Sequence, residues 1–335
     1  MKPFENRNQN QHTNQSNCAN LFNQFCISLN TLKDSFRPRL FLIKKKTYWC
    51  HYIDNALITS YLGRVGFCRP FLPHRSTDID SFNLKDFLKS RAIKQNELKK
   101  GECGDCCGCS FLNVGYHDKN EWVFNSIDLA FSSFCNLRCT YCYIPKPDLA
   151  IKNYDKEEKM FSLICEILDH QLLNPYGSVS FSGGEPTLMS SFSKTCRKFF
   201  DYSPNLTFAF ITNCTIVSKD IVEIMKTPSK VSFMISIDSG NEDSYLKIKG
   251  KPFFQHVMRN LQYYLKIAEC YPNNNIRVKY ILLPENLNDF IDFLNIMAGL
   301  KLETVYFDLD ANLPTISDEM INAAIDFCIE AKNAV

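Results

Sequence analysis

From Ser126 to the end of the 335-residue chain, short β-rich runs alternate with longer helical patterns. Such alternation is typical of βα units arranged around a parallel sheet. Apolar residues at Phe161, Ile164 and Leu168 show the spacing of an amphipathic helix. The six predicted strands are Ile127 to Phe131, Ser178 to Phe181, Phe208 to Thr212, Val231 to Ile237, Arg277 to Leu282 and Thr304 to Phe307. The helices that follow them lie near Lys156 to His170, Ser190 to Asp201, Ser218 to Met225, Phe253 to Glu269, Leu287 to Met297 and Ser317 to Ala334.

The number of units determines the expected fold. A complete eight-unit barrel takes about 250 residues, whereas residues 126–335 hold six units. We therefore predict an α/β fold in which this core domain is an open, partial (βα)6 TIM-like barrel. A small cysteine-rich region, residues 48–112, precedes it, and residues 1–47, which begin with a tract rich in Asn and Gln, are predicted to be mostly disordered.

Composition excludes several classes of protein. The content of 45% hydrophobic and 22% charged residues is ordinary for a globular protein. The net charge is +2 and the basic residues are scattered, so nothing indicates a nucleic-acid partner. No apolar stretch approaches the roughly 20 residues that cross a bilayer, so no membrane partner is expected. The chain has sixteen cysteines, several of them clustered in metal-ligand spacings, and no signal peptide, which favours the reducing cytoplasm.

Three cysteines directly after the first predicted strand indicate a metal centre. Cys135, Cys139 and Cys142 are spaced as C-x3-C-x2-C. Four cysteines normally hold a 4Fe-4S cluster, so a set of three leaves one iron open for another ligand. A structural zinc site is the alternative, but it is closed by four ligands. No cysteine or histidine follows until Cys165 and His170, which fall on a predicted helix.

The second predicted strand ends in a glycine-rich turn, Gly183-Gly184-Glu185. A glycine pair lets the backbone approach a ligand closely, and the carboxylate offers a hydrogen-bond acceptor. Alone, such a turn is also an ordinary connection between a strand and a helix. Its place one βα unit after the cysteine loop favours a ligand site at the carboxyl ends of the strands.

The cysteine loop and the glycine-rich turn together resemble the motifs of the radical S-adenosylmethionine (SAM) superfamily. The resemblance implies that the three thiolates bind a 4Fe-4S cluster whose open iron is chelated by the amino and carboxylate groups of SAM. It further implies reductive cleavage of SAM to methionine and a 5'-deoxyadenosyl radical, which abstracts hydrogen from a substrate. The residues implied to contact SAM are Tyr141 beside the adenine, Gly183, Gly184 and Glu185 at the methionine moiety, and Asn213, Ser236 and Asp238 at the ends of the third and fourth strands.

Two of these polar residues have an alternative interpretation. Asn213 and Asp238 each precede a predicted helix, where short polar side chains commonly cap the helix or form turns. Contact with the ribose of SAM is the prediction for Ser236 and Asp238, and capping and ligand contact are equally favoured for Asn213.

A second cysteine group lies in the region before the barrel. Cys50, Cys68, Cys106 and Cys109 resemble the four-cysteine arrangement of auxiliary, SPASM-like modules found beside many radical SAM barrels. The competing register uses Cys103 with Cys106. Either a second Fe-S cluster or a structural zinc suits four thiolates. Auxiliary cysteines of the peptide-modifying group usually follow the barrel, so their position here weakens any transfer of a peptide substrate.

These observations predict a radical SAM enzyme with no catalytic residue beyond the cluster. An electron donor such as a flavodoxin or ferredoxin is the expected partner, and the substrate is either a peptide or protein side chain, or a sugar or other small metabolite. The alternative from another class is a non-catalytic zinc-binding adaptor. The glycine-rich turn distinguishes the two hypotheses, because a zinc site does not require such a turn, whereas a SAM site is expected to have one.

Overall fold

The computed structural model describes residues 46–68, 73–115, 122–130, 132–144, 154–302, 304–309 and 317–333. Lys46–Val335 form one compact unit. The segment predicted to be disordered, residues 1–47, lies outside the described residues except for its last two.

Eleven strands and nine α-helices are defined within these ranges. The strands are β1 (Tyr48–Trp49), β2 (Ala56–Thr59), β3 (Arg64–Gly66), β4 (Ser76–Asp78), β5 (Asn113–Val114), β6 (Phe124–Leu129), β7 (Leu173–Phe181), β8 (Thr207–Thr212), β9 (Lys230–Ser236), β10 (Asn274–Leu282) and β11 (Val305–Leu309). The helices are α1 (His51–Asn55), α2 (Leu84–Lys99), α3 (Tyr154–Asp169), α4 (Phe192–Tyr202), α5 (Lys219–Met225), α6 (Glu242–Lys249), α7 (Phe254–Cys270), α8 (Phe290–Gly299) and α9 (Asp318–Asn333).

One sheet of nine strands organises the molecule, in the order β11-β10-β9-β8-β7-β6-β2-β3-β4. Strands β6 to β11 are parallel and each pairs with its neighbour in sequence. The predicted α/β fold with six parallel βα units is therefore confirmed. The six predicted helices are present, and their ends differ from the predicted ones by a few residues.

Helix α6 was not predicted, and its end signals explain why it forms. Asn241 is its N-cap and accepts a hydrogen bond from the backbone N–H of Ser244 at 3.0 Å. Gly250 ends it with a φ of +69°, a conformation that glycine adopts without strain. In the chain, α6 lies between β9 and α7, and its last residues form hydrogen bonds with the cysteine loop.

The cysteine-rich region continues the sheet of the barrel. Strand β2 pairs in parallel with β6, with Leu57 opposite Ile127. Strands β3 and β4 extend the sheet further as antiparallel neighbours. Thr59 fixes the junction, because its hydroxyl accepts from the N–H of Ala130 at 2.8 Å. The region at 48–112 thus shares both the sheet and the core with the barrel.

Aromatic side chains fill the centre of the core. Phe181, Phe208, Phe210 and Phe233 come from three adjacent strands, and each is fully buried. The ring of Phe210 stacks on Phe181 at 5.2 Å between centroids and lies 5.6 Å from Phe233. Alternate residues of a strand point to opposite faces, so these rings share one face of the sheet. Their packing holds the strand ends that carry the site.

Replacing Phe210 with alanine should lower the free energy of unfolding by about 3–5 kcal/mol, because it leaves a cavity among these rings. Urea denaturation followed by circular dichroism measures the loss. Ile211→Ala is the matched control on the same strand, since Ile211 is 45% exposed. The control should lose about 1 kcal/mol or less. Equal losses in both variants would contradict this assignment of the core.

Candidate active site

The three cysteines of the predicted cluster line one cavity at the carboxyl end of the parallel strands. Cys135, Cys139 and Cys142 follow β6 in a segment without helix or strand. The cavity has a volume of about 570 Å³. Ligands of parallel α/β folds bind at this end of the sheet, where the loops after the strands converge.

Most of the predicted SAM-contacting residues line the same cavity. They are Tyr141, Gly183, Gly184, Asn213 and Ser236. Glu185 and Asp238 do not line it, and their exposures are 1% and 0%. The predicted contacts of these two carboxylates with SAM stay predictions, since both side chains are bonded within the protein.

The donor set suits a cluster better than a single ion. Among the residues that the structure describes, no three or more His, Cys, Asp and Glu side chains form a group that could hold a metal ion. A cluster of four irons takes one thiolate per iron, so its thiolates stand apart around a cavity. The pKa of Cys135 is raised to about 11, mainly by burial and also by the neighbouring Cys139. Binding of iron therefore has to displace the thiol protons.

Hydrogen bonds orient the first of these cysteines. The backbone N–H of Leu137 donates to Cys135 Sγ at 3.4 Å, and Asn213 Nδ2 donates to the same sulfur at 3.6 Å. Asn213 also donates to Asn136 Oδ1 at 2.9 Å. Such donors stabilise a thiolate, so Asn213 acts on the cluster ligand as well as on the cavity wall.

The glycine-rich turn fixes one side of the cysteine loop. The N–H of Gly184 donates to Ser132 O at 2.8 Å, and that of Glu185 donates to Phe134 O at 2.7 Å. A Cβ on Gly184 would lie 2.2 Å from Phe134 O. Gly183 adopts a φ of +102°, which is strained for other residues. Both glycines are therefore required for close packing of backbone on backbone.

The carboxylate of Glu185 ties this turn to the end of β8. Its Oε1 accepts from Thr187 Oγ1 at 2.7 Å and from Thr212 Oγ1 at 2.8 Å, and its Oε2 accepts from the N–H of Asn213 at 2.8 Å. Burial raises the pKa of Glu185, while these hydrogen bonds oppose that shift. The structure gives Glu185 a positioning role that the sequence did not reveal.

Helix α6 fixes the opposite side of the loop. The N–H of Arg138 donates to Lys249 O and that of Thr140 donates to Ile248 O, both at 2.9 Å. Gly250 packs against Arg138, and a Cβ there would lie 3.1 Å from Arg138 Cβ. The segment that carries Cys139 is therefore joined to the end of this helix.

A buried ion pair lies beneath the same segment. Lys249 Nζ donates to Asp238 Oδ2, and the two side chains are 1% and 0% exposed. Tyr141 donates to Asp238 Oδ2 at 2.6 Å and accepts from Lys249 Nζ at 2.9 Å. The other oxygen of Asp238 accepts from the N–H of Ile281 at 2.7 Å. Asp238 thus holds Lys249 and Tyr141, which line the cavity, while itself lying behind the wall.

Lys249 stays protonated in this environment. Burial lowers the pKa of Lys249, but Asp238 and Cys139 raise it, and the net shift is upward. Sequence reasoning missed this residue. The signal in the sequence is a lysine directly before a glycine, a pattern typical of a helix end, where a lysine is usually solvated.

Residues at the end of β2 and directly after it form another part of the cavity wall, which the sequence did not predict. Thr59, Ser60 and Tyr61 line the cavity, and the ring of Tyr61 lies 5.9 Å from that of Tyr143. They come from the cysteine-rich region and reach the site because β2 pairs with β6.

The second cysteine group also surrounds one cavity. Cys50, Cys68, Cys106 and Cys109 line it together with Arg75 and Asp105, and its volume is about 30 Å³. Cys103 forms a disulfide with Cys107 and does not line the cavity. This geometry favours the preferred register, Cys106 with Cys109. Burial raises the pKa of Cys50 and that of Cys68.

A family model described as the Radical SAM superfamily matches residues 129–297, which is half of the chain. The match includes the cysteine loop, the glycine-rich turn and helix α6. The chain therefore belongs to the radical SAM superfamily.

Curated relatives carry the name GTP 3',8-cyclase. The protein from Helicobacter pylori (strain HPAG1) is 23% identical over 197 residues, covering 58% of this chain and 59% of the relative. That from Sulfurimonas denitrificans is 24% identical over 182 residues, covering 53% of each. The chain thus spans little more than half the length of these relatives.

Solved structures give a weaker likeness. Streptococcus suis SuiB bound to S-adenosylmethionine is 13% identical with a TM-score of 0.44, over 86% of this chain and 70% of that one. The protein anSMEcpe with bound AdoMet is 16% identical with a TM-score of 0.43, over 62% of this chain and 60% of the other.

None of the helices that the structure describes combines the length and the apolar character of a membrane-spanning segment.

Gly184→Ala should reduce the iron bound after reconstitution, because the new Cβ displaces the backbone before Cys135. Overpacking of this kind costs about 1–3 kcal/mol of stability. Iron per chain and urea denaturation measure both effects. Gly299→Ala is the control, since a Cβ there meets nothing within 4 Å. Unchanged iron and stability in Gly184→Ala would show that the turn is not tightly packed.

Lys249→Met should lower the free energy of unfolding by about 3–5 kcal/mol, because it leaves the Asp238 carboxylate buried without its cation. The double variant Lys249→Met/Asp238→Asn should recover most of this loss. Lys198→Met is the control, because its ion pair with Asp169 is largely exposed and should be worth about 1 kcal/mol or less. A double variant as unstable as the single one would exclude an uncompensated charge as the cause.

Proposed function

We propose that this radical SAM enzyme abstracts hydrogen from an organic substrate that enters the 570 Å³ cavity. The observation that carries the proposal is the convergence of the cysteine loop with the ends of β7, β8 and β9 around this one cavity. When bound, the reduced cluster supplies the electron that cleaves SAM to methionine and the 5'-deoxyadenosyl radical. The chain's own residues bind and orient SAM and the substrate.

The cavity wall supplies groups of the right chemistry for SAM. Tyr141 offers an aromatic ring suited to adenine, held by its hydrogen bond to Asp238. Ser236 and Asn213 offer polar groups at adjacent strand ends. Arg138 places a basic side chain on the wall, which suits the carboxylate of a methionine moiety or an anionic substrate.

The substrate proposal keeps both classes that the sequence indicated, a peptide or protein side chain and a sugar or other small metabolite. The name of the curated relatives adds GTP as a compound to include in a substrate screen.

As the partner that reduces the cluster, we propose an electron donor such as flavodoxin or ferredoxin. We propose the cytoplasm as the compartment, because several cysteines have metal-ligand spacings, which a reducing environment suits.

We also propose that Cys50, Cys68, Cys106 and Cys109 hold a second metal centre, either an Fe-S cluster or a zinc ion. The four sulfurs line one small cavity, which supports this proposal. They do not form a group that could hold a single metal ion among the described residues, so an Fe-S cluster is the better supported of the two. No observation favours the zinc-binding adaptor, because the chain belongs to a superfamily of enzymes.

Anaerobic reconstitution followed by dithionite reduction with SAM should yield 5'-deoxyadenosine, measured by chromatography. Cys139→Ala should abolish this product, because one cluster ligand is lost, and should keep the metal bound by the other four cysteines. Cys270→Ala is the control, since Cys270 is exposed and lies outside both cavities. Product formation by Cys139→Ala would contradict the proposal, and loss of all metal in that variant would contradict two separate centres.

A further inference from the structure

Arg75 lies among the four cysteines before the barrel, with its guanidinium directed at their sulfur atoms. Its Nη1 donates to Cys106 Sγ at 3.1 Å and to Cys68 Sγ at 3.7 Å. The residue is 5% exposed and lines the same small cavity as all four cysteines. A guanidinium is always charged, so a full positive charge is buried there.

The carboxylate beside this charge is a poor partner for it. Asp105 Oδ2 lies 3.4 Å from Arg75 Nη2, and the Asp105 side chain is 58% exposed. The same oxygen lies 2.8 Å from His74 Nε2. Arg75 Nε is buried and makes no hydrogen bond among the described residues. The carboxylate of this ion pair is therefore partly solvated, whereas the guanidinium is buried.

A buried charge is tolerated when an opposite charge is buried with it. Neutral thiols do not meet this need, whereas thiolates bound to a metal do. Four thiolates around one divalent ion carry a net charge of −2, which a guanidinium partly neutralises. Hydrogen bonds from outside the ligand set to the sulfurs also stabilise metal centres of this type.

We infer that Arg75 is the buried counter-cation of a four-thiolate metal centre formed by Cys50, Cys68, Cys106 and Cys109. The inference rests on the second metal centre proposed above and gives it a positioning residue. A zinc ion and an Fe-S cluster share the required chemistry, a negatively charged set of thiolates. Metal analysis distinguishes the two.

The test compares Arg75→Leu with a reference chain that keeps Arg75, each with and without metal. Both carry Cys135→Ala, Cys139→Ala and Cys142→Ala, so that only metal at the other four cysteines is counted. Zinc, iron and sulfide are measured per chain, and affinity is measured by competition with a chelator. Arg75→Leu should weaken metal binding by about 10- to 100-fold. It should lower the Tm of the metal-loaded chain and raise that of the metal-free chain, because a poorly paired buried charge is removed.

Arg91→Leu is the matched control. Arg91 is also buried, at 6% exposure, but it donates to Val123 O at 3.0 Å, lies over the ring of Phe124 and does not line the cavity of the four cysteines. This variant should leave metal affinity unchanged. Arg75→Lys keeps the charge and should retain most of the affinity.

The outcomes separate the two proposals. Absence of zinc and iron from the four cysteines overturns the second metal centre itself. Bound metal with unchanged affinity in Arg75→Leu overturns the role of Arg75 and leaves the centre intact. A fall in Tm of both metal-loaded and metal-free Arg75→Leu shows a purely structural arginine. Equal loss of affinity in Arg75→Lys and Arg75→Leu overturns the charge argument.

Discussion

The cysteine loop has neither helix nor strand, so its shape depends on backbone hydrogen bonds from its neighbours. The turn at Gly183 and Gly184 bonds to it on one side, and the end of α6 at Ile248 and Lys249 bonds to it on the other. Each contact needs a close approach of two backbones, which a side chain at Gly184 would prevent. Because β7 belongs to the same sheet as β9, the strand that precedes α6, the packed core sets the distance between the turn and the helix and so places the three cysteines.

Two buried cations face the two groups of cysteines, and their surroundings differ. Lys249 has a buried carboxylate partner in Asp238, so its charge is compensated within the protein. Arg75 has a largely exposed one and directs its donors at sulfur. Since a buried charge is costly without compensation, the first cation belongs to the architecture of the cavity wall. The charge of Arg75 is fully compensated only when the nearby sulfurs are thiolates.

Strand β2 links the two groups of cysteines. It begins six residues after Cys50, one of the four cysteines before the barrel, and continues into Thr59, Ser60 and Tyr61 on the wall of the active-site cavity. Its pairing with β6 places the cysteine-rich region beside the first strand of the barrel. A change that loosens this pairing therefore affects the wall of the active site as well as the second group.

The amino-acid pattern was sufficient for the parallel core, the order of its six units and the position of the cluster cysteines. These follow from local periodicity and from the rule that loops after parallel strands meet at one edge. It did not reveal the pairing of β2 with β6, the contact of Lys249 with Asp238, or the hydrogen bonds that occupy Glu185. The position of Asp238 at a strand end is visible in the sequence and predicts a ribose contact, whereas its bonds to Lys249, Tyr141 and Ile281 are visible only in the structure. Those features depend on residues that are distant in the chain and meet only when the sheet is assembled, so no local pattern encodes them.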